Sequence, residues 1–409
     1  MSAVVYSYRD EMVMSYAVDF GRDREPAQKR SRFPEYRRKG SAPARVNGIH
    51  CRRAKRWTWG SGRGARTLNA RAFAGCLALA VTALANAAFG APISINYATI
   101  GDPGNAAQNV TNWGSVPSVY KIATTETTNK DYVAFLNSVD PAGANPRGIF
   151  NTTNSASPLY GIAFSGTAAS GSKYTVKTGT APSGSAYSDM PVLFTNWFSA
   201  ARFTNWLANG QTSGTSAMES GAYTLNGQTS GPIPSRTPGA SVYLPSRDEW
   251  YKAAFFLSSS NSYFIFPTSS NSVPTATISD VSLANAANYD VVTTSPITVG
   301  SYVNTTSPYG LYDMLGNLTE FTDTSNGTNV QVFGGSHATP ASQLPLWDVN
   351  GNYAAGVFRN PANATSQLGF RVAAVPEPTT IALAGTGLAG LAGLNWMKRR
   401  KKAAAAQVD

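Results

Sequence analysis

The segment Tyr309-Gly310-Leu311-Tyr312-Asp313-Met314-Leu315-Gly316-Asn317-Leu318-Thr319-Glu320-Phe321 is the longest motif of this 409-residue chain. Its glycines, Gly310 and Gly316, suit tight backbone turns or close packing, where a side chain would not fit. Asp313, Glu320 and the nearby Asp323 could be read as acid–base catalysts. Three acidic side chains in a loop of this kind more often bind a cation or face solvent. The segment therefore predicts a scaffold element with candidate cation ligands.

Around this motif, short patterned segments alternate with long stretches rich in Ser, Thr, Asn and Gly. Apolar residues recur on one face of residues 126–139, and residues 197–208 read as a second helix. Ser246 and Glu249 have the spacing of a capping box, which opens a third helix. Short extended segments lie at 93–100, 119–122, 330–333 and 370–374, and loop-like stretches at 141–188, 208–240 and 257–284. Scattered elements joined by long loops predict an α+β fold.

Six motifs follow one another in the region 93–374. They are Glu126-Thr127-Thr128-Asn129; Met190-Pro191-Val192 leading to Asn196-Trp197 and Asn205-Trp206-Leu207; Leu244-Pro245-Ser246-Arg247-Asp248-Glu249-Trp250; the 309–321 segment; Gly334-Gly335-Ser336; and Gly369-Phe370-Arg371-Val372. In this order they resemble the formylglycine-generating enzyme family, also called the sulfatase-modifying factor domain. The resemblance implies an α+β, loop-rich domain at 91–374, with a fold related to the C-type lectin fold. We expect Trp197, Trp206 and Trp250 to pack in its core rather than to stack on a ligand.

The resemblance also defines what the chain lacks. The family oxidises a substrate cysteine to formylglycine with a copper ion held by two cysteines shortly after the Gly-Gly-Ser motif. Here those positions fall near Thr339 and Leu344, and the only cysteines are Cys51 and Cys76. Soft Cu(I) needs thiolate ligands, so we expect no copper and no formylglycine generation. A non-haem iron site would need two histidines and a carboxylate, whereas His337 is the only histidine after His50, so we expect no iron.

Calcium is the cofactor that the resemblance implies. The family holds a structural calcium through side-chain and backbone oxygens, which correspond here to the Asp313 side chain, the Gly316 and Leu318 carbonyls and the Glu320 side chain. A second, weaker match comprises the Asn288 side chain and the Tyr289 carbonyl. Hard oxygen donors of this kind suit Ca²⁺. The alternative is that Asp313 caps a turn and Glu320 makes an ordinary hydrogen bond.

The C-terminal region, residues 375–402, has three parts in order. Val375-Pro376-Glu377-Pro378 is followed by an uncharged apolar run at 381–397 and then by Lys398-Arg399-Arg400-Lys401-Lys402. A helix over the run would span roughly 25 Å of hydrocarbon, so we predict a transmembrane helix there and a tail at 403–409. The order resembles the PEP-CTERM sorting signal of Gram-negative bacteria, which implies an exosortase-type membrane protease as partner. An ordinary single-pass anchor is the alternative.

The N-terminal region agrees with export. Arg63, Arg66 and Arg71 precede an apolar stretch, and small residues follow, with cleavage expected after Ala87 or Gly90. We interpret 63–90 as a signal peptide. Residues 1–62 form a basic segment that we expect to be disordered, and the preferred hypothesis is a translation start downstream of it.

The charge distribution follows the same division. Residues 1–87 hold 17 Lys/Arg and 6 Asp/Glu, residues 88–375 hold 11 and 14, and residues 376–409 hold 5 and 2. The net positive charge therefore comes from the two terminal regions, and the domain between them is mildly acidic. We expect no nucleic-acid partner.

Three functions fit these observations. The preferred one is an exported, non-catalytic, lectin-like module in the cell envelope, on the outer surface or in the exopolysaccharide matrix, that binds polysaccharide or envelope glycans. The second is an enzyme with altered, copper-independent chemistry, which needs a cleft near residues 334–344 with the convergent polar groups His337, Asp348 and Arg359. The third is a structural matrix protein without a specific ligand.

Overall fold

A computed structural model of the chain describes residues 92–343 and 357–376. Three α-helices lie in these ranges: α1 (Asn129–Val139), α2 (Trp197–Ala208) and α3 (Arg247–Phe255). Thr128 and Asn196 cap the first two, because their side chains accept hydrogen bonds from backbone N–H groups of the first turn. Ser246 and Glu249 cap α3 reciprocally, as the capping-box spacing predicts.

The strands are short and spread along the whole domain. They are β1 (Tyr97–Ile100), β2 (Tyr120–Ala123), β3 (Ile162–Phe164), β4 (Tyr174–Val176), β5 (Val242–Tyr243), β6 (Phe256–Leu257), β7 (Ser262–Tyr263), β8 (Thr275–Ala276), β9 (Ala286–Ala287), β10 (Thr319–Ser325), β11 (Val330–Phe333), β12 (Val357–Arg359), β13 (Leu368–Gly369) and β14 (Ala373–Ala374). Few exceed four residues, so most of the backbone forms turns and loops. The expectation of a loop-rich α+β domain is confirmed.

Two four-stranded sheets organise the domain. The first has the order β1-β2-β14-β5 and is antiparallel throughout. The second has the order β12-β11-β10-β13, in which only the β10–β13 pair is parallel. Strands β13 and β14 are separated by residues 370–372, so this short connection joins the two sheets.

Aromatic side chains are numerous in the core. Trp197, Trp206 and Trp250 are all buried, which confirms their expected role in packing. The Trp197 indole N–H donates to the Thr322 carbonyl at 2.9 Å and so ties α2 to β10. The Trp250 ring stacks on Phe333 with 5.0 Å between the ring centroids, which places α3 against β11.

Several sequence predictions lie outside the described residues. They concern the basic segment 1–62, the signal peptide 63–90, the helix at 381–397 and the tail at 403–409. Of the sorting motif, only Val375 and Pro376 are described. Within residues 92–343 and 357–376, no helix is long and apolar enough to cross a membrane.

Candidate functional site

A cavity of about 320 Å³ opens on one face of the second sheet. All four strands of that sheet, or the residues next to them, contribute to its wall, and the loop after β11 contributes the rest. The lining residues in the described ranges are Thr319, Val332, Phe333, Gly334, Gly335, Ala338, Thr339, Pro340, Gln343, Val357, Arg359 and Gln367. Gly334 and Gly335 of the Gly334-Gly335-Ser336 motif therefore form part of the cavity wall.

The structure places two of the three residues expected at this cleft, and it separates them. Arg359 lines the cavity and is exposed on β12. His337 is only 3% exposed and does not line it, since its ring points into the protein and its Nδ1 lies 3.3 Å from the Asn317 carbonyl oxygen. Burial lowers the pKa of His337 below its usual value, so its ring is neutral at pH 7. Asp348 lies outside the described residues.

A strained turn at residues 290–291 is hydrogen-bonded to the loop after β11, residues 334–343, which we call the cavity loop. Asp290 and Val291 both have φ of 57°, a left-handed conformation that β-branched residues rarely adopt. Their backbone N–H groups donate to the carbonyls of Thr339 and His337, at 2.9 and 3.0 Å. The Asp290 carboxylate also accepts a hydrogen bond from the Ala341 N–H at 2.9 Å. Because three hydrogen bonds hold the turn, its backbone strain is compensated by contacts to the cavity wall.

The 309–321 segment lies beside this loop and forms a tight turn. The Gly316 N–H donates to the Gly334 carbonyl at 3.0 Å, and the Asn317 N–H donates to the Asn288 carbonyl at 2.8 Å. A Cβ on Gly316 would lie 2.2 Å from the Asn288 carbonyl oxygen, and its φ is 77°. Only glycine fits there.

Glu320, one predicted calcium ligand, is fully buried and held by nitrogen donors. Arg371 Nε and Nη2 lie 2.6 and 2.5 Å from its two carboxylate oxygens, and the Trp250 indole N–H donates to one of them at 2.8 Å. Arg371 also donates to the Ala123 and Tyr312 carbonyls, at 3.1 and 3.0 Å. A cation at this position would have to share a carboxylate that a guanidinium already neutralises.

Asp313, the other predicted carboxylate ligand, lies beside the Glu126 carboxyl group. Its Oδ2 accepts a hydrogen bond from the Gly300 N–H at 2.6 Å, whereas its Oδ1 is buried and has no donor. Glu126 resembles it, because its Oε1 accepts from Asn317 at 3.0 Å and its Oε2 has no donor. Burial raises the pKa of Asp313 to about 6, and burial together with the charge of Asp313 raises the pKa of Glu126 well above its usual value.

These side chains form a buried cluster with an excess of negative charge. Glu126, Asp313 and Glu320 carry one charge each when ionised, and Arg371 offsets one of the three. Buried charges need compensation. Two protons or one divalent cation would supply it.

Asn288 and Tyr289, the second predicted set, lie against the same turn. The buried Asn288 side chain leaves Oδ1 without a donor, while its amide nitrogen makes only long contacts of 3.3 and 3.5 Å. The Tyr289 carbonyl accepts a hydrogen bond from the Val292 N–H at 3.3 Å. Across residues 92–343 and 357–376, no group of three or more His, Asp or Glu side chains is arranged to hold a metal. A cation here would therefore depend on amide and carbonyl oxygens beside Asp313.

Sequence reasoning missed several of these groups. Gln367 and Thr319 line the cavity, but Gln367 belongs to no motif and Thr319 had no role assigned within the 309–321 segment. Glu126 and Arg371 stand in the family motifs, but nothing in the sequence assigned them to the neighbourhood of Asp313 and Glu320. Their position in motifs was the only available signal.

Comparisons with known proteins agree with this architecture. The sulfatase-modifying factor enzyme 1-like domain matches residues 101–375, and the PEP-CTERM protein-sorting motif matches residues 374–400. The sorting motif implies exosortase processing and export to the cell envelope. No curated protein matches the chain.

Solved structures similar to the domain include three proteins. CarF is 20% identical with a TM-score of 0.42, and the match covers 69% of this chain and 99% of that one. Variable protein 1 of Treponema denticola is 18% identical with a TM-score of 0.42, covering 69% and 96%. PvdO from Pseudomonas aeruginosa is 13% identical with a TM-score of 0.35, covering 69% and 93%.

Proposed function

The chain belongs to the sulfatase-modifying factor enzyme 1-like domain family, and on that premise we propose that it is an exported, non-catalytic module that binds glycans. It would act on the outer surface of the cell envelope or in the exopolysaccharide matrix. The C-terminal sorting motif supports this location, because exosortase processing delivers a protein beyond the inner membrane. Before processing, a helix over 381–397 would anchor the chain in that membrane.

The observation that carries the proposal is the chemistry of the cavity wall. The two glycines of the Gly-Gly-Ser motif line the cavity, and the family places its copper-binding cysteines shortly after this motif. Thr339 occupies one of these positions here, and the chain has no cysteine after Cys76. The wall instead offers hydroxyl, amide and guanidinium groups from Thr319, Gln367 and Arg359. Such groups bind polar ligands through hydrogen bonds but cannot hold Cu(I).

We also propose that calcium stabilises the turn at 313–320. The Asp313 Oδ1 atom supports this idea because it is buried without a donor, and the Gly316 and Leu318 carbonyls accept no hydrogen bond from the described residues. Glu320 would contribute a weaker, shared oxygen. The Asn288 Oδ1 atom, also buried without a donor, supports the second set with Tyr289. A divalent cation would balance the excess negative charge of the buried cluster.

The test uses processed protein purified from cells that produce the full-length chain. Binding to a panel of bacterial polysaccharides is measured by calorimetry, and aldehyde formation is measured on a cysteine-containing peptide in the presence of added copper. We expect saturable glycan binding and no aldehyde. Aldehyde formation would refute the non-catalytic proposal, and failure to bind any glycan would refute the binding role.

A further inference from the structure

We propose that the cavity selects acidic saccharides, and that Arg359 recognises their carboxylate or sulfate group. This inference rests on the proposed glycan-binding function and names the class of glycan. It follows from the position of one guanidinium, from the donors around it and from the absence of acidic side chains in the described part of the wall.

Arg359 lies on β12 with its exposed side chain in the cavity wall. Val357 and Arg359 are separated by one residue on β12 and therefore point to the same face of the sheet, and both line the cavity. Arg359 pairs with Val330 through the backbone. Among the described residues, its side chain has no hydrogen-bond or ion-pair partner. No described acidic side chain therefore competes with a ligand for this exposed guanidinium, whereas the buried Arg202 and Arg371 are paired with Glu219 and Glu320.

Side chains with hydrogen-bond donors line the cavity together with Arg359. Gln367 accepts a hydrogen bond from Ser336 through Oε1, which leaves both protons of its amide nitrogen for the cavity. Thr339 Oγ1 accepts from the Ser336 N–H at 2.8 Å and donates to the Ser336 Oγ at 3.4 Å, since that hydroxyl itself donates to Gln367. Gln343 adds a second amide. No Asp or Glu occurs among the described lining residues.

These donors match an oxyanion on a sugar ring. An arginine fork binds a carboxylate or a sulfate through two parallel hydrogen bonds. The amides and hydroxyls of Gln343, Gln367 and Thr319 suit the ring hydroxyls beside it. The volume of about 320 Å³ lies near the lower end of the usual range for small-molecule pockets, about 300–1,000 Å³, and so accommodates a single acidic residue of a longer chain.

The experiment compares three oligosaccharides of equal length by calorimetry with the processed protein. One contains uronic acids, one is the same chain with its carboxyl groups reduced to alcohols, and one carries sulfate esters. We expect at least one acidic ligand to bind about tenfold more tightly than the neutral chain, because charge-assisted hydrogen bonds are about twice as strong as neutral ones. The two acidic ligands distinguish carboxylate from sulfate recognition. The preference should weaken at high salt.

Arg359→Gln should abolish the preference for acidic chains over the neutral chain, whereas Arg359→Lys should retain part of it. Lys130→Gln serves as the control, because it removes one positive charge from an exposed ion pair with Asp189 outside the cavity. Equal binding of acidic and neutral chains, or an unaltered preference in Arg359→Gln, would overturn the inference while leaving the glycan-binding proposal intact. Absence of binding to every glycan would overturn both.

Discussion

Arg371 binds both carboxylate oxygens of Glu320 in the buried interior, at 2.6 and 2.5 Å. Glu320 belongs to β10 of the second sheet, and Arg371 lies in the connection that leads to β14 of the first sheet. The ion pair therefore joins the two sheets at the place where the chain passes from one to the other. Trp250 donates to the same carboxylate and adds α3 to the junction.

Breaking this pair should strongly destabilise the domain. Glu320→Gln removes the one carboxylate that is hydrogen-bonded to the buried Arg371 guanidinium, so we expect the free energy of unfolding to fall by about 3–5 kcal/mol. Urea unfolding of the purified protein measures the change. The double variant Glu320→Leu with Arg371→Met should lose less than the single variant, since it removes both members of the ion pair and leaves neither one unpaired. A loss below about 1 kcal/mol for Glu320→Gln would show that the pair does not hold the sheets together.

The pair also shows what sequence could and could not predict. The limits of α2 and the capping box of α3 follow from local patterns in Trp197–Ala208 and in Ser246 and Glu249, and the structure confirms both. The partnership of Glu320 with Arg371 has no local signature, because it depends on how two sheets meet. Only the family motifs indicated that both residues matter.

The cavity illustrates the same limit. Its wall combines Thr319, the loop after β11, Arg359 and Gln367, which lie in four separate stretches of the sequence. The motif around Gly334 correctly indicated the region. It could not indicate that His337 points inward, because that direction depends on contacts of the loop with Val291 and Asn317.

Calcium removal should lower the stability of the protein if the proposed site at 313–320 is filled. A ligand that binds only the folded state stabilises it by about 2.7 kcal/mol at a concentration 100 times its dissociation constant. We therefore expect the melting temperature to fall in EDTA and to recover with Ca²⁺. Mg²⁺ serves as a control, since it prefers a smaller octahedral site and should restore less. An unchanged melting temperature, together with no calcium in the purified protein by elemental analysis, would refute the proposal.

The stability of the metal-free protein should depend on the ionisation of Asp313. Its pKa is about 6 in the folded protein and 3.8 when unperturbed, so the folded state holds the proton more tightly. The resulting stabilisation is complete below about pH 3.8 and disappears as the pH rises through 6. Asp313→Asn has no carboxyl group to ionise, so its stability should not fall as the pH rises. At pH 7 it should therefore be more stable than the metal-free wild type by on the order of 1–3 kcal/mol.

Asparagine suits this position because it also tolerates the left-handed backbone, with φ of 56° at Asp313. Unfolding in urea with EDTA between pH 5 and pH 8 provides the measurement. Parallel pH profiles of the wild type and the variant would show that Asp313 does not titrate between pH 5 and pH 8, which would contradict the prediction.

His337 should produce the opposite pH dependence. Burial lowers its pKa below the usual 6.5, so the unfolded chain takes up a proton more readily than the folded one. Stability is therefore complete above about pH 6.5 and decreases as the pH falls below it. His337→Gln cannot take up that proton, and it should be less stable than the wild type at pH 7.5 but lose less between pH 7.5 and 5.5. Equal losses in the two proteins would assign the acid sensitivity to other groups.

The left-handed backbone of Val291, in the strained turn at residues 290–291, should lower the stability of the domain. Val291 is 58% exposed and adopts φ of 57°, so its side chain contributes little burial while its backbone is strained. Asparagine adopts this conformation at lower cost, and a left-handed conformation costs an ordinary residue roughly 1–2 kcal/mol. We expect Val291→Asn to raise the free energy of unfolding by about 1 kcal/mol. Val292→Asn is the matched control, because Val292 is also exposed but does not share the positive φ.

Both variants are compared with the wild type by urea unfolding and by glycan binding. The hydrogen bond from the backbone N–H of residue 291 to the His337 carbonyl does not depend on the side chain. Val291→Asn should therefore keep the cavity loop in place and leave affinity unchanged. Equal stabilisation by the two substitutions would attribute the gain to a more polar surface instead of relief of strain, because only residue 291 has the left-handed backbone that asparagine favours.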